Sequence, residues 1–322
     1  MSGFTITAGV SFSGGFTFTE APAENTAAWF GGGATLSPFQ GLSTVDRITF
    51  ATDTATATVR GPLSGTRYSV GAVANTTDGW WAGGQAFGNK STVQRITYAT
   101  DTATASVRGP LSAAAGFNNG TAGNTTDGWF VSVGAATTVN RITYATDTAT
   151  ASIRGPLSVS YSGAGAGNTT DGWFGGGYLA PTPRSTVQRI TYATDTDTAS
   201  IRGPLSRIRY SLAAAGNSTY GWFAGGHDTG TGYISTVDRI TWATDTITAS
   251  ARGTLVIGTM YLSAAGNSDY GWFGAGENTG GPSFVFTSRV DRITYATDTA
   301  TASTRGPLSV ARREPGAAGG IQ

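Results

Sequence analysis

The sequence predicts an all-β fold, a six-bladed β-propeller with four antiparallel strands per blade, and two observations carry that prediction. First, one phrase is written six times: Val-(Asp/Gln/Asn)-Arg-Ile-Thr-aromatic-Ala-Thr-Asp-Thr begins at Val45, Val93, Val139, Val187, Val237 and Val290. Arg-Gly-(Pro/Thr)-Leu follows at Arg60, Arg108, Arg154, Arg202, Arg252 and Arg305. Trp followed by Phe or Trp recurs at Trp29, Trp80, Trp129, Trp173, Trp222 and Trp272. Second, each period of about 50 residues consists of short segments bounded by Gly, Asn and Asp, with no helical periodicity. A unit of that length cannot bury its own apolar face, so the copies must stack.

The copy from Ser206 to Leu255 shows the strands in order. Tyr210 to Ala215 is small and apolar, which suits a strand at the crowded axis of a ring. Gly216-Asn217-Ser218-Thr219 is a turn, since Gly and Asn tolerate positive φ. Tyr220 to Ala224 reads as the second strand, stopped by Gly225-Gly226. Thr236 to Ala243 reads as the third, with Ile240 and Trp242 on one face and Val237, Arg239 and Thr241 on the other. Thr244-Asp245-Thr246 turns the chain into a fourth, Ile247 to Ala251, ending at Arg252-Gly253.

The two ends of the chain are expected to share one blade. Leu308 to Gly320 aligns without a gap to Leu205 to Asn217, and the first full phrase at the other end begins at the turn Asn25-Thr26. A C-terminal strand joining the N-terminal blade would close the ring and remove a free sheet edge. Residues 25–322 are then the propeller. Residues 1–24 stand outside the repeat: Phe4-Thr5-Ile6-Thr7 and Phe16-Thr17-Phe18-Thr19 alternate around Gly14-Gly15 as a β-hairpin-like extension, expected either to pack on the propeller's own rim or to anchor the protein to a partner.

At these residues the repeats resemble kelch repeats. Gly-Trp-Phe-Ala-Gly-Gly at 221–226 is similar to the aromatic and double-glycine end of a kelch second strand, and Val-Asp-Arg-Ile-Thr-Trp-Ala-Thr-Asp-Thr at 237–246 to the third. The likeness runs from about residue 25 to residue 319 and departs where Ala replaces the usual Asp after the aromatic residue and where the fourth-strand Trp is missing. Gly-Asn-x-x-x-Gly-Trp is also similar to regulator-of-chromosome-condensation repeats. The tandem Asp-Arg-Ile-x-Tyr-Ala-x-Asp-Thr-Ala-Thr-Ala and Gly-Pro-Leu-Ser units resemble repeat proteins of marine tailed phages. That resemblance implies a virion component, made in the host cytoplasm.

Composition narrows the function. The net charge is +1, and twelve of the twenty basic residues are the two frame arginines of each repeat, spread evenly rather than gathered on a nucleic-acid face. Without cysteine there is no disulfide, zinc-thiolate site or thiol nucleophile, and Met1 to Thr19 carries no signal-peptide pattern. No run is long and apolar enough for a membrane span. No metal-ligand cluster or phosphate-cradling glycine loop is read, so no metal or other cofactor is expected. The one histidine, His227, stands beside Asp228 in a variable loop, a weak basis for general-base chemistry.

Function is expected where the copies differ. The turn between strands one and two and the turn between three and four are nearly constant. The loops between two and three differ: Ala34 to Leu42, Gln85 to Lys90, Ala135 to Thr137, Tyr178 to Arg184, His227 to Ile234 and Glu277 to Arg289. So do the crossovers to the next blade, with Arg67-Tyr68, Phe117-Asn118-Asn119, Tyr161, Arg207-Ile208-Arg209-Tyr210 and Met260-Tyr261. In an antiparallel blade both variable classes fall on one side, and loops on a rigid scaffold carry recognition. The binding candidates are Phe87, Lys90, Phe117, Tyr178, Arg184, Arg207, His227 and Tyr233. The expected activity is non-enzymatic: a virion structural or adhesion protein in the tail, fibre or capsid surface, holding a host surface glycan or another virion protein. The alternatives are a glycan-active enzyme, for which Asp228 and Glu277 are the available loop carboxylates, and an intracellular protein-binding adaptor.

Overall fold

The computed structural model describes residues 25–133, 137–159, 163–179, 181–279 and 283–319, with backbone alone at 116–119 and 132–133. The N-terminal extension and Tyr161 lie outside the described residues. Six four-stranded antiparallel sheets stand as blades in a propeller ring. The first blade holds Ala27–Gly31, Val45–Thr49 and Thr58–Arg60, and its innermost strand is Gly316–Gly319, in register Trp29↔Ala318. The other five follow chain order from the axis outward, beginning with Gly71–Ala74, Gly116–Gly123, Ala164–Gly167, Ala213–Gly216 and Ser263–Gly266.

The fifth blade shows what the local sequence dictates. Its second strand is Tyr220–Ala224, as the alternation predicts. The third runs Thr236–Thr241 and stops earlier than expected, because Trp242–Thr244 winds into a single 3₁₀ turn. The fourth is Ser250–Thr254 rather than Ile247 to Ala251, since the chain must first return from that turn. The inner strand starts only at Ala213, because Ser211 adopts φ 54 and breaks the extended run.

Each 3₁₀ turn carries the joint between blades. Its aspartate (Asp53, Asp101, Asp147, Asp195, Asp245 or Asp298) is buried and points into the preceding blade. There the indole Nε1 of Trp272, Trp29, Trp80, Trp129, Trp173 or Trp222 donates to it at 2.7–3.0 Å. The same carboxylate oxygen meets the third-strand arginine at 2.9–3.2 Å and the Arg-Gly arginine at 3.4–3.7 Å. Each indole also stacks on the aromatic residue of the next turn, with centroids 3.6–4.0 Å apart. The repeated Trp, Arg, Arg and Asp are thus one bridging unit written six times, as neighbour contacts in a repeat protein require.

The glycine of Arg-Gly is imposed by the same joint. Gly109 N–H donates to the Asp147 carbonyl at 2.8 Å, and a Cβ on Gly109 would stand 1.9 Å from the Ala149 carbonyl oxygen. A second buried unit lies beneath the loops. The residue after the third-strand valine accepts the backbone N–H that follows the conserved Leu, as Ser206 to Asp238 at 2.9 Å and Ser112 to Asn140 at 2.9 Å. In the fifth and first blades this residue is Asp238 or Asp46, each paired at 2.9 Å with a fully buried arginine, Arg209 or Arg312. Burial pushes the Arg209 guanidinium down to about 10 and lowers Arg312 as well.

Candidate binding face

One side of the ring uses its polar groups on itself. Asn75, Asn124, Asn168, Asn217 and Asn267 each accept the N–H groups two and three residues on, which fixes the turn between strands one and two. Asp78, Asp127 and Asp171 then meet third-strand arginines at 3.4–3.6 Å. Where Tyr220 and Tyr270 replace that aspartate, Arg239 and Arg292 lie 4.4 and 4.3 Å over their rings instead. The substitution changes the chemistry and keeps the contact.

The other side gathers both variable loop classes. Isolated β-bridges join loop to crossover at Leu42↔Arg67, Tyr68↔Gln85, Lys90↔Ala115, Tyr210↔His227, Met260↔Glu277 and Thr287↔Arg312. Four of the loops fold as two-stranded ribbons: Ala34–Leu36 with Phe39–Gly41, Tyr178–Leu179 with Thr182–Pro183, His227–Asp228 with Gly232–Tyr233, and Glu277–Thr279 with Phe284–Phe286. Loops that differ from copy to copy are thereby held by backbone hydrogen bonds in fixed positions.

Across the fourth and fifth blades these ribbons bring four rings into a row. Tyr178 and Tyr210 lie 5.0 Å apart, Tyr210 and His227 5.4 Å, and His227 and Tyr233 5.4 Å. Arg207 borders the row, donating to Thr231 Oγ1 at 2.8 Å and meeting Asp228 Oδ2 at 3.4 Å. The Gly230 N–H, helped by Thr231 and Arg207, holds the Asp228 carboxyl below its usual range. The Nδ1 of His227 is buried and has no hydrogen-bond partner among the described residues.

A second cluster continues from Tyr233. Its hydroxyl donates to Glu277 Oε1 at 2.6 Å, and burial together with that carboxylate raises the phenol well above its usual value, so it stays a donor. The other Glu277 oxygen meets Arg313 at 2.5 Å, and Arg313 reaches Glu314 at 3.3 Å. The Arg313 guanidinium also lies over Tyr261, Phe286 and Phe39 at 4.8, 4.9 and 5.5 Å. Glu314 accepts from the Ser69 hydroxyl, and its pKa is raised by burial against the opposing effects of Ser69 and Arg313. Glu314, Tyr261 and Ser211 also border the central cavity of about 140 Å³, whose walls are the Gly- and Ala-rich inner strands.

Of the residues named from sequence, Tyr178, Arg207, His227 and Tyr233 come together here. Arg184 is exposed on the adjoining ribbon, its carbonyl accepting the Arg209 N–H at 3.0 Å, and it has no carboxylate partner among the described residues. Phe87 and Lys90 belong to the second blade, Phe87 fully exposed at φ 47 and Lys90 half-buried. Phe117 falls within the inner strand Gly116–Gly123, not in a crossover, because that strand starts early and carries a register shift between Gly116 and Gly120; its side chain lies outside the description.

Two expectations are corrected. Arg67 and Arg209 are buried rather than presented, with Arg67 donating to the Gly83 and Thr92 carbonyls at 3.2 Å. Asp228 and Glu277 are not a matched pair, since each is neutralised by its own arginine. Sequence reasoning also missed the Arg313 hub, although Arg312-Arg313-Glu314 is the one crossover with a run of three charges. Among the described residues no group of three His, Cys, Asp or Glu side chains comes together to hold a metal ion, and no helix is long and apolar enough to cross a membrane. No protein-family model matches the chain, and no curated protein matches its sequence.

Proposed function

We propose that the chain is a non-enzymatic recognition module of a tailed-phage particle, carried in the tail, fibre or capsid surface. Its varied face holds a host surface glycan or a neighbouring virion protein, and residues 1–24 anchor it to other virion proteins. The observation that carries this reading is the two-sidedness of the ring. One side repeats a single set of turn contacts, while the other bridges variable loops and crossovers into fixed ribbons that present aromatic rings. Half-exposed rings with polar edges suit stacking and hydrogen bonding together. The virion setting rests on the likeness of the repeat phrases to those of marine phages, and the kelch likeness on the second- and third-strand phrases.

A glycan-active enzyme is the second reading, and Tyr233 hydrogen-bonded to Glu277 at 2.6 Å beside Arg313 is the feature in its favour. Against it, both Glu277 oxygens are already engaged. The test is attachment: purified particles should contain the protein, and Tyr178→Ala with Tyr233→Ala should weaken binding to host cells while Thr125→Ala on the uniform face does not. Loss on Thr125→Ala with the tyrosine variants intact would assign the face the other way. Release of reducing sugar from host polysaccharide would favour the enzyme.

A further inference from the structure

Resting on that recognition reading, we infer that the row Tyr178, Tyr210, His227 and Tyr233 is a saccharide subsite, and that Arg184 makes it select a carboxylated sugar. The row is built for a chain of rings. Successive centroids are 5.0, 5.4 and 5.4 Å apart, a pitch close to the length of one pyranose, so consecutive sugars can each lie against one aromatic ring. The rings are tilted by 50–81° to one another, which makes a stepped wall and not a box around a single cation.

The polar groups along the row are fixed before any ligand arrives. Asp228 is held by Gly230, Thr231 and Arg207, and the Tyr233 hydroxyl by Glu277.

Charge decides the class of sugar. On this part of the face Asp228 is paired with Arg207, and Glu277 and Glu314 share Arg313. Arg184 is exposed, pairs with no carboxylate among the described residues, and stands beside Gly177 and Arg209, the neighbours of Tyr178 and Tyr210. The free charge at this end of the row is therefore a guanidinium, whose planar fork matches a carboxylate with two parallel hydrogen bonds.

The experiment exposes the full chain to an immobilised panel of neutral, sulfated and carboxylated oligosaccharides. Carboxylated members should be retained, Tyr178→Ala should abolish retention with an unchanged melting temperature, and Arg184→Gln should narrow the preference over neutral analogues about tenfold, the size of one charge-assisted hydrogen bond. Equal retention of neutral and carboxylated sugars, or no effect of Arg184→Gln, overturns the selectivity. If no sugar is retained while Tyr178→Ala still impairs attachment to cells, the saccharide inference falls and the face assignment stands. If neither is affected, both fall.

Discussion

Removing one joint aspartate should show how strongly each blade depends on its neighbour. Asp245 accepts Trp173 Nε1 at 2.7 Å and meets Arg189 at 3.1 Å and Arg202 at 3.4 Å, with 5 % of its surface exposed. A hydrogen bond to a buried charge is worth about 1.5–3 kcal/mol, and stripping one partner from a buried pair costs about 3–5 kcal/mol. The arginines retain 26 % and 19 % of their side-chain exposure, so water screens part of their share. Arg189 also keeps Asp171 at 3.5 Å. Asp245→Ala should therefore destabilise by about 3–4 kcal/mol, toward the lower part of that range. Trp173→Phe keeps an aromatic ring on Trp242 but removes the donor and leaves a gap where the rest of the indole stood, which together should cost about 2–4 kcal/mol. The two together should cost less than their sum by about 1–2 kcal/mol, because they break the same bond. Denaturant midpoints of the four proteins give the cycle. An Asp245→Ala variant within about 1 kcal/mol of the parent, or a cycle with no coupling, would refute the bridging role.

Three further outcomes are expected. Deleting Arg312 to Gln322 removes the inner strand of the first blade and leaves Asp46 without its buried guanidinium, so the melting temperature should fall; an unchanged value would mean that Gly316–Gly319 contributes nothing. Gly109→Ala should strongly lower soluble yield or stability because of its 1.9 Å approach to the Ala149 carbonyl, whereas Gly65→Ala, with open space around it, should be neutral, and equal behaviour would contradict the close-approach argument. Glu314 has a raised pKa in the fold, so its contribution to stability is fully present below the usual 4.5 and is lost as pH rises through the folded value. Glu314→Gln should remove that loss, and melting curves of the two proteins that stay parallel from mildly acidic to neutral pH would count against it.

The frame was legible because its residues repeat in equal number. Six tryptophans, six turn aspartates and two sets of six arginines can only be shared contacts between identical neighbours, and Tyr220–Ala224 follows directly from alternation. The fourth strand was misplaced because Ile247 to Ala251 has no sharp start signal, while the turn before it winds into 3₁₀. Arg67 and Arg209 look like rim residues in the sequence because a charge in a variable crossover is usually solvated. The signal that marks them as buried is their place in the chain: Arg67, Arg209 and Arg312 each stand four residues before the start of an inner strand, at Gly71, Ala213 and Gly316. The Arg313 hub joins residues 36 apart from two different blades, and no local pattern announces such a meeting.

The inner strand of the first blade has a consequence for synthesis. Asp46 leaves the ribosome 266 residues before its partner Arg312, and Ala27–Gly31 waits as long for Gly316–Gly319. At about 5–20 residues per second, that interval is on the order of tens of seconds. During it the middle blades can already stack on one another, while the first blade carries an unpaired strand edge and a carboxylate without its guanidinium. The earliest-made blade is thus the last to mature. Any chaperone that attends this nascent chain has most to protect at the first blade, and a chain cut short before Gly316–Gly319 has its weakest point there rather than in the sixth blade.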